Sequence, residues 1–295
     1  MCSPKVLSEV YESIGREGRK VSRRSMFAAL GTGALGATVM AGAVQPTASA
    51  APPGQTIVDL THVLTPEFPV WPGARSFEMR NLAKIADAGG SLGSLGSAGS
   101  GGNFYLNELR LEEHTGTHID APAHASADGI TVEKIPVADL VVPIAVVDIS
   151  ARASVDPDTL LTRQDILDWE SLHGTIAPRS LVAMNSGWDT RAGAGGAFTN
   201  RDALGVQHTP GFNPEAIDFL VRERNIVAVG SDTLSIDAGR STTHGAHRSA
   251  LGSGKYAVEA LANLSALPAV GATVMVGAPT HAGGSGGPCR VIAWY

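Results

Sequence analysis

Between residues 162 and 230 the sequence switches twice from a helical to an extended apolar pattern, which argues for an α/β or α+β fold and against a helical bundle. Thr162 followed by Asp165 makes a capping-box-like start, with Asp in place of the usual Glu. Ile166, Trp169, Leu172 and His173 then keep helical spacing until Gly174 ends the run. Residues 181–184 read as a strand. Asn213-Pro214 opens a second helix through about Arg224, and residues 226–230 follow as another strand. Further extended runs lie at 56–60, 104–112, 141–149, 273–276 and 290–294. The 35 glycines and 17 prolines suit many tight turns, and 43% hydrophobic against 17% charged residues is enough for a large core. With no internal repeat and no linker to isolate a second domain, residues 51–295 are expected to fold as one domain. A Gly/Ser-rich stretch at 89–102 reads as an inserted surface loop.

Residues 1–50 have the layout of an export signal: a net basic start, then Ser22-Arg23-Arg24-Ser25-Met26-Phe27, then an Ala/Gly-rich apolar run from Ala28 to Val44. The Arg pair and following Phe resemble the twin-arginine type, and Ala48-Ser49-Ala50 offers small residues for cleavage. The competing reading is a membrane anchor, which a short run of mostly Ala, Gly and Thr serves poorly. Cleavage would leave a secreted or periplasmic protein, exported by the twin-arginine machinery and without a stable membrane anchor. Its 16 basic against 25 acidic residues, and the absence of a basic stripe, make nucleic acid a poor partner. Of the two cysteines, Cys2 and Cys289, only the second would remain, so no internal disulfide can form.

The run His114-Thr115-Gly116-Thr117-His118-Ile119-Asp120-Ala121-Pro122-Ala123-His124 puts three imidazoles and a carboxylate into eleven residues, a density that no core-packing pattern requires. His118 and Asp120, two apart, share one face of an extended segment, and Gly116 lets the backbone turn so that His114 can meet them. Imidazole nitrogens with a carboxylate oxygen suit zinc, manganese or iron, and so small a ligand set leaves room for water. Pro122 bends the chain before His124, which could then act on that water as an acid or base instead of coordinating. A lone histidine is most often a hydrogen-bonded or solvated side chain; four ligand-type residues at this spacing are not. A closed structural metal site is disfavoured by the scarcity of cysteine.

On these residues the chain resembles the metal-dependent cyclase-like hydrolases, a family that includes bacterial kynurenine formamidases and isatin hydrolases. The eleven-residue run carries the resemblance. Asp59-Leu60-Thr61, Pro69-Val70-Trp71-Pro72-Gly73, Asn185-Ser186-Gly187-Trp188, Gly230-Ser231-Asp232-Thr233 and Gly283-Gly284-Ser285-Gly286-Gly287-Pro288 support it. The resemblance implies an α/β, swivelling β/β/α cyclase-like single domain, commonly a homodimer. It implies that His114, His118 and Asp120 bind a first metal, with Asp120 bridging to a second, and that His247 and Glu259, twelve residues apart, complete the ligands. It makes His124 the proton-transfer residue and Trp71 the aromatic that lines the substrate pocket. His244 competes with His247, but the spacing to Glu259 favours His247. The chain departs from the family in its export signal, its Gly/Ser insertion and His281.

The function implied is a hydrolase using Zn2+ or Mn2+, two per subunit, to cleave an amide C–N bond of an aromatic small molecule with metal-activated water. The first form of that reading is an arylformamidase of the N-formylkynurenine type, in tryptophan catabolism. The alternative is an isatin-type cyclic amide or lactone hydrolase. From another class, an exported metal-binding protein without turnover would need the same ligands but not His124.

Overall fold

The computed structural model describes residues 55–85, 101–102 and 104–295. The segment expected to be an export signal, residues 1–50, and the stretch read as a Gly/Ser insertion, apart from Gly101 and Gly102, lie outside the described residues.

Nine strands form the main sheet: β1 (Ile57–Asp59), β2 (His118–Asp120), β3 (Val141–Asp148), β4 (Leu181–Asn185), β5 (Ala228–Ser231), β6 (Tyr256–Glu259), β7 (Ala272–Gly277), β8 (Gly286–Pro288) and β9 (Arg290–Trp294). Their spatial order is β1-β9-β7-β3-β4-β5-β6-β2-β8. The central strands β3 to β6 run parallel in sequence order, and the other pairings of this sheet are antiparallel. Helices α1 (Arg163–His173), α2 (Pro214–Arg224) and α3 (Gly245–Leu251) make the three crossovers that parallel neighbours require. The expected mixed α/β architecture is therefore present.

Along β3, β4 and the start of β5 both faces are apolar, as burial on two sides demands. Ala145, Val147, Val182, Met184 and Val229 pack against the helices. Val142, Ile144, Val146, Leu181 and Ala183 face the other way, under segments that carry Val132, Ile135, Leu264 and Leu267.

The stop and start signals act where the sequence places them. The Thr162 hydroxyl accepts from the Asp165 amide at 3.3 Å, and Asp165 accepts from the Thr162 amide at 2.7 Å, completing the capping box of α1. Gly174, at φ 87°, ends it. Asn213 caps α2 by accepting from the Glu215 amide at 2.9 Å, and Asn225 closes it at φ 50°. Strand edges differ from the sequence expectation by one or two residues, for example Ala228–Ser231 where 226–230 reads as extended. Helix α3 has no sequence expectation behind it. Seven residues are too few for a resolvable period, and such a helix owes its stability to tertiary contacts.

The described residues fall into two compact units, one of residues 79–108 and one of 55–78 with 109–295. The smaller contains most of a three-stranded sheet, Gly101–Gly102, Glu78–Ile85 and Leu106–Arg110 in that order, with an exposed Arg80–Glu108 ion pair at 3.0 Å. No helix among the described residues is long and apolar enough to cross a membrane.

Candidate metal centre

Strand register brings the distant ligand candidates together. In the antiparallel pair β2–β6, Glu259 stands opposite His118 and Ala257 opposite Asp120. Directly opposed residues share a face, so His118, Asp120 and Glu259 all point to the side covered by α3. Gly116, at φ 69°, turns the chain into β2 and returns His114 to the same spot. His247 descends from α3, whose first amides are held by Asp237: its oxygens accept from Ala246 N at 2.8 Å and His247 N at 3.3 Å.

The resulting distances are short. His114 Nδ1 lies 2.6 Å from Asp120 Oδ1. His118 Nε2 lies 3.3 Å from both Asp120 Oδ1 and Glu259 Oε2. His247 Nε2 lies 3.3 Å from Asp120 Oδ2 and 3.2 Å from Glu259 Oε1. His118 Nδ1 donates to the Gly116 carbonyl at 2.8 Å, and His247 Nδ1 donates to Asp237 at 2.6 Å. In their neutral forms both rings therefore present a bare Nε2 to the two carboxylates.

This arrangement fits a cation. His118 Nε2 and Asp120 Oδ2 are buried with no hydrogen-bond partner among the described residues, although buried polar atoms are nearly always satisfied. Two donor groups, His114/His118/Asp120 and Asp120/His124/His247, each keep their ligand atoms within 4.8 Å of one another and share Asp120. Burial alone would discharge the imidazoles, yet Asp120 and Glu259 hold His118 up at about 10 and, with Asp237, hold His247 up at about 12. Burial would likewise raise Asp120, but the surrounding imidazoles hold it well below the usual carboxylate range. The cluster demands positive charge, which divalent cations can supply in place of protons.

His124 differs from these groups. It follows β2 on a single 3-10 turn, Pro122–His124, and is exposed to solvent on one side. Its ring stacks on His114 with centroids 3.8 Å apart and lies 5.8 Å from that of His247. Desolvation, joined by the two neighbouring imidazoles, lowers its pKa below the usual imidazole value despite the pull of Asp120 and Glu259. Its membership of the second donor group puts it within reach of a cation as well as of a proton.

Above the ligands lies a cavity of about 290 Å³, lined by Trp71, Glu112, His124, Leu234, Ser235 and His244 among others. Trp71, 39% exposed, begins a turn in which the Ala74 amide donates to its carbonyl at 2.9 Å, with Gly73 at φ 92° in the position that favours glycine. Glu112 accepts from the Arg75 amide at 3.1 Å and so anchors the far end of that turn.

The remaining histidines are placed elsewhere. His62 packs between Phe68 and Phe198, and His173 ends α1 beside Trp169. His208 is held by Asp158 and Asp202 outside the cavity, and His281 pairs with Glu113. Sequence reading missed Asp237, Glu112 and Ser235. Glu112 stands two residues before His114 and could have been flagged; nothing in the spacing marks Asp237.

The family model described as "Putative cyclase" matches residues 58–238. The chain belongs to the cyclase family. His247 and Glu259 lie beyond that match, yet they complete the cluster built on Asp120. Relatives of this cyclase-family chain extend further. An isatin hydrolase of Roseibium aggregatum is 34% identical over 270 residues, covering 88% of this chain and 95% of its own. A kynurenine formamidase of Salinibacter ruber is 28% identical over 238 residues, covering 80% and 96%. Isatin hydrolase A from Labrenzia aggregata, solved with benzyl benzoate bound, superposes with a TM-score of 0.73 at 36% identity over 81% of this chain and 93% of that one. An isatin hydrolase bound to the product analogue thioisatinate gives a TM-score of 0.73 at 33% identity, over 82% and 92%.

Proposed function

We propose that this cyclase-family protein is a metal-dependent hydrolase that cleaves an amide C–N bond in an aromatic small molecule, and that a cyclic amide of the isatin type is its leading substrate class. The observation that carries the reading is the pair of donor groups sharing Asp120 beneath a cavity bounded by Trp71 and His124. The higher identity to isatin hydrolases than to a kynurenine formamidase moves the cyclic amide ahead of the arylformamide, which stays as the second substrate class.

His114, His118 and Asp120 would hold one divalent cation, and Asp120, His247 and Glu259 a second. Zinc and manganese both accept this nitrogen and oxygen set. Bound there, the cations supply acidified water and a polarised carbonyl. His124, open to the cavity, takes a proton from the attacking water and returns it to the nitrogen that leaves, so an amide and water become a carboxylic acid and an amine, and the acid then releases its proton to solvent. Trp71 offers the face of an indole to an aryl ring. Replacing Trp71 by alanine is expected to raise KM about tenfold with little change in kcat, since stacking binds ground and transition states alike. Steady-state kinetics on isatin and N-formylaniline measure both constants; an unchanged KM on every aryl substrate removes Trp71 from the pocket.

The direct test is hydrolysis of isatin, N-formylaniline and an aryl lactone by protein stripped with a chelator and then given back Zn2+ or Mn2+. Activity should vanish and return with the metal. Background rates throughout would leave an exported metal-binding protein as the better reading. We further propose twin-arginine export, cleavage before residue 51, a secreted or periplasmic mature form without a stable anchor, and a homodimer. Fractionation of cells carrying the full chain, with Arg23 and Arg24 both changed to Lys as the control, tests the route; light scattering tests the dimer.

A further inference from the structure

The Gly/Ser motif at 283–288 has no part in the chemistry above, yet its serine touches a ligand candidate. Ser285 Oγ lies 3.0 Å from His114 Nε2 and 2.5 Å from Glu113 Oε2, and the Ser285 amide lies 3.2 Å from both Glu113 oxygens. Counting hydrogens settles the Nε2 side of the ring. A carboxylate only accepts, so the single hydroxyl proton of Ser285 goes to Glu113. The serine oxygen is then an acceptor, and His114 Nε2–H must donate to it. The proton on a neutral His114 is thus on Nε2, and the free lone pair is on Nδ1, the atom that lies 2.6 Å from Asp120 Oδ1. His118 and His247 are oriented by the same logic, through the Gly116 carbonyl and Asp237, with their roles of Nδ1 and Nε2 reversed.

The glycines on either side of Ser285 have a matching reason. A Cβ on Gly286 would stand 2.7 Å from His114 Cε1 and 2.3 Å from the Ile119 carbonyl oxygen. A Cβ on Gly284 would stand 2.3 Å from His281 Nε2 and 2.9 Å from Glu113 Oε1. A side chain at Gly286 would push the strand away from the Ile119 backbone and the imidazole, and one at Gly284 would displace the His281 and Glu113 side-chain ends. Bare backbone lets the hydroxyl reach between them, and His281 Nε2, 2.6 Å from Glu113 Oε1, holds the outer end of the chain.

We propose that Ser285, held by Glu113 and followed by a glycine that the Ile119 carbonyl requires, is the positioning residue of His114: it locks the ring with its proton on Nε2 so that Nδ1 is the atom offered to a divalent cation. This role rests on His114 being a ligand, and two independent measurements separate it from that assumption. In zinc-loaded protein with 15N-labelled histidine, long-range 1H–15N NMR should show His114 protonated and slowly exchanging at Nε2, with Nδ1 coordinated. Chelator competition with Zn2+ should show that Ser285→Ala weakens metal binding by about 10- to 100-fold, while the metal-free variant melts with the wild type. Coordination through Nε2, or a Ser285→Ala protein that binds zinc as tightly as the wild type, would overturn the proposal. If that variant does not fold, the wild-type spectrum decides alone. A wild type that takes up no zinc would sink the metal-centre reading itself, a result distinguishable from loss of the serine's role.

Discussion

Where β3 and β4 meet α1 and α2, every side chain turned toward the helices is apolar: Ala145, Val147, Val182 and Met184 lie against Ile166, Trp169, Ile217 and Leu220. Where β2 and β6 meet α3, the same face of the same sheet carries His118, Asp120 and Glu259 beneath His247. The first region is held by burial, with each fully buried large aliphatic side chain contributing about 1.5–3 kcal/mol. The second buries two carboxylates, each of which costs several kcal/mol unless compensated. One scaffold thus keeps a self-sufficient half and a half that demands a counter-charge. Separating stability from function across that divide is the way to test the difference.

The largest effect should come from Asp120→Asn, because the shared carboxylate belongs to both donor groups. Turnover is expected to fall by at least about 10³-fold with loss of cation binding, and the metal-free protein should melt below wild type, because Asn leaves the buried imidazoles that Asp120 neutralises with one counter-charge fewer. Metal analysis, kinetics and calorimetry on one preparation read all three. Retained turnover would break the comparison at its centre.

In the apolar half the expectation reverses. Leu220 is completely buried, so Leu220→Ala should cost about 2–5 kcal/mol in urea unfolding and leave metal affinity within about threefold. A comparable loss of metal affinity would mean that the two halves are coupled.

Asp232, at the end of β5, lies near the boundary. Its carboxylate accepts from Ser186 N at 3.0 and 3.1 Å, Ser186 Oγ at 2.6 Å and Trp188 N at 2.9 Å, yet complete burial pushes its pKa up to about 6 from 3.8. A folded pKa above the unfolded one gives stability that is fully present below the unfolded pKa and lost as pH rises through the folded one. Unfolding free energy of wild type relative to Asp232→Asn should therefore fall by about 2 kcal/mol between about pH 4 and pH 7. A flat difference across a pH series of urea titrations would show that the hydrogen bonds, not the burial, set its charge.

The smallest effect belongs to the helix cap. Thr162→Ala removes the hydroxyl that accepts from Asp165 N and should cost about 1 kcal/mol, read as a small drop in urea midpoint with kcat/KM unchanged. A change in kcat/KM would extend the metal centre's reach to α1.

Local physics explains which parts were legible. Thr162, Gly174 and Asn213-Pro214 act on neighbours within four residues, so the bounds of α1 and α2 could be read from the chain alone. His118 and Asp120 share a face because extended backbone alternates, and Gly116 turns because it can take a positive φ. The ligand-type residues and the family likewise lay in the amino acids themselves.

What the chain could not state was everything that depends on register between distant strands. Glu259 faces His118 only because β6 pairs with β2 in one of several possible alignments, and a slip of one residue would turn it to the opposite face. Helix α3, Asp237 beneath its first turn, and Ser285 against His114 arise from contacts across 10 to 171 residues, which no local preference encodes. Residue types determined which chemistry was available; packing alone decided which atoms of those residues meet, because hydrogen-bond and coordination geometry act over about 3 Å and chain connectivity does not specify positions that closely.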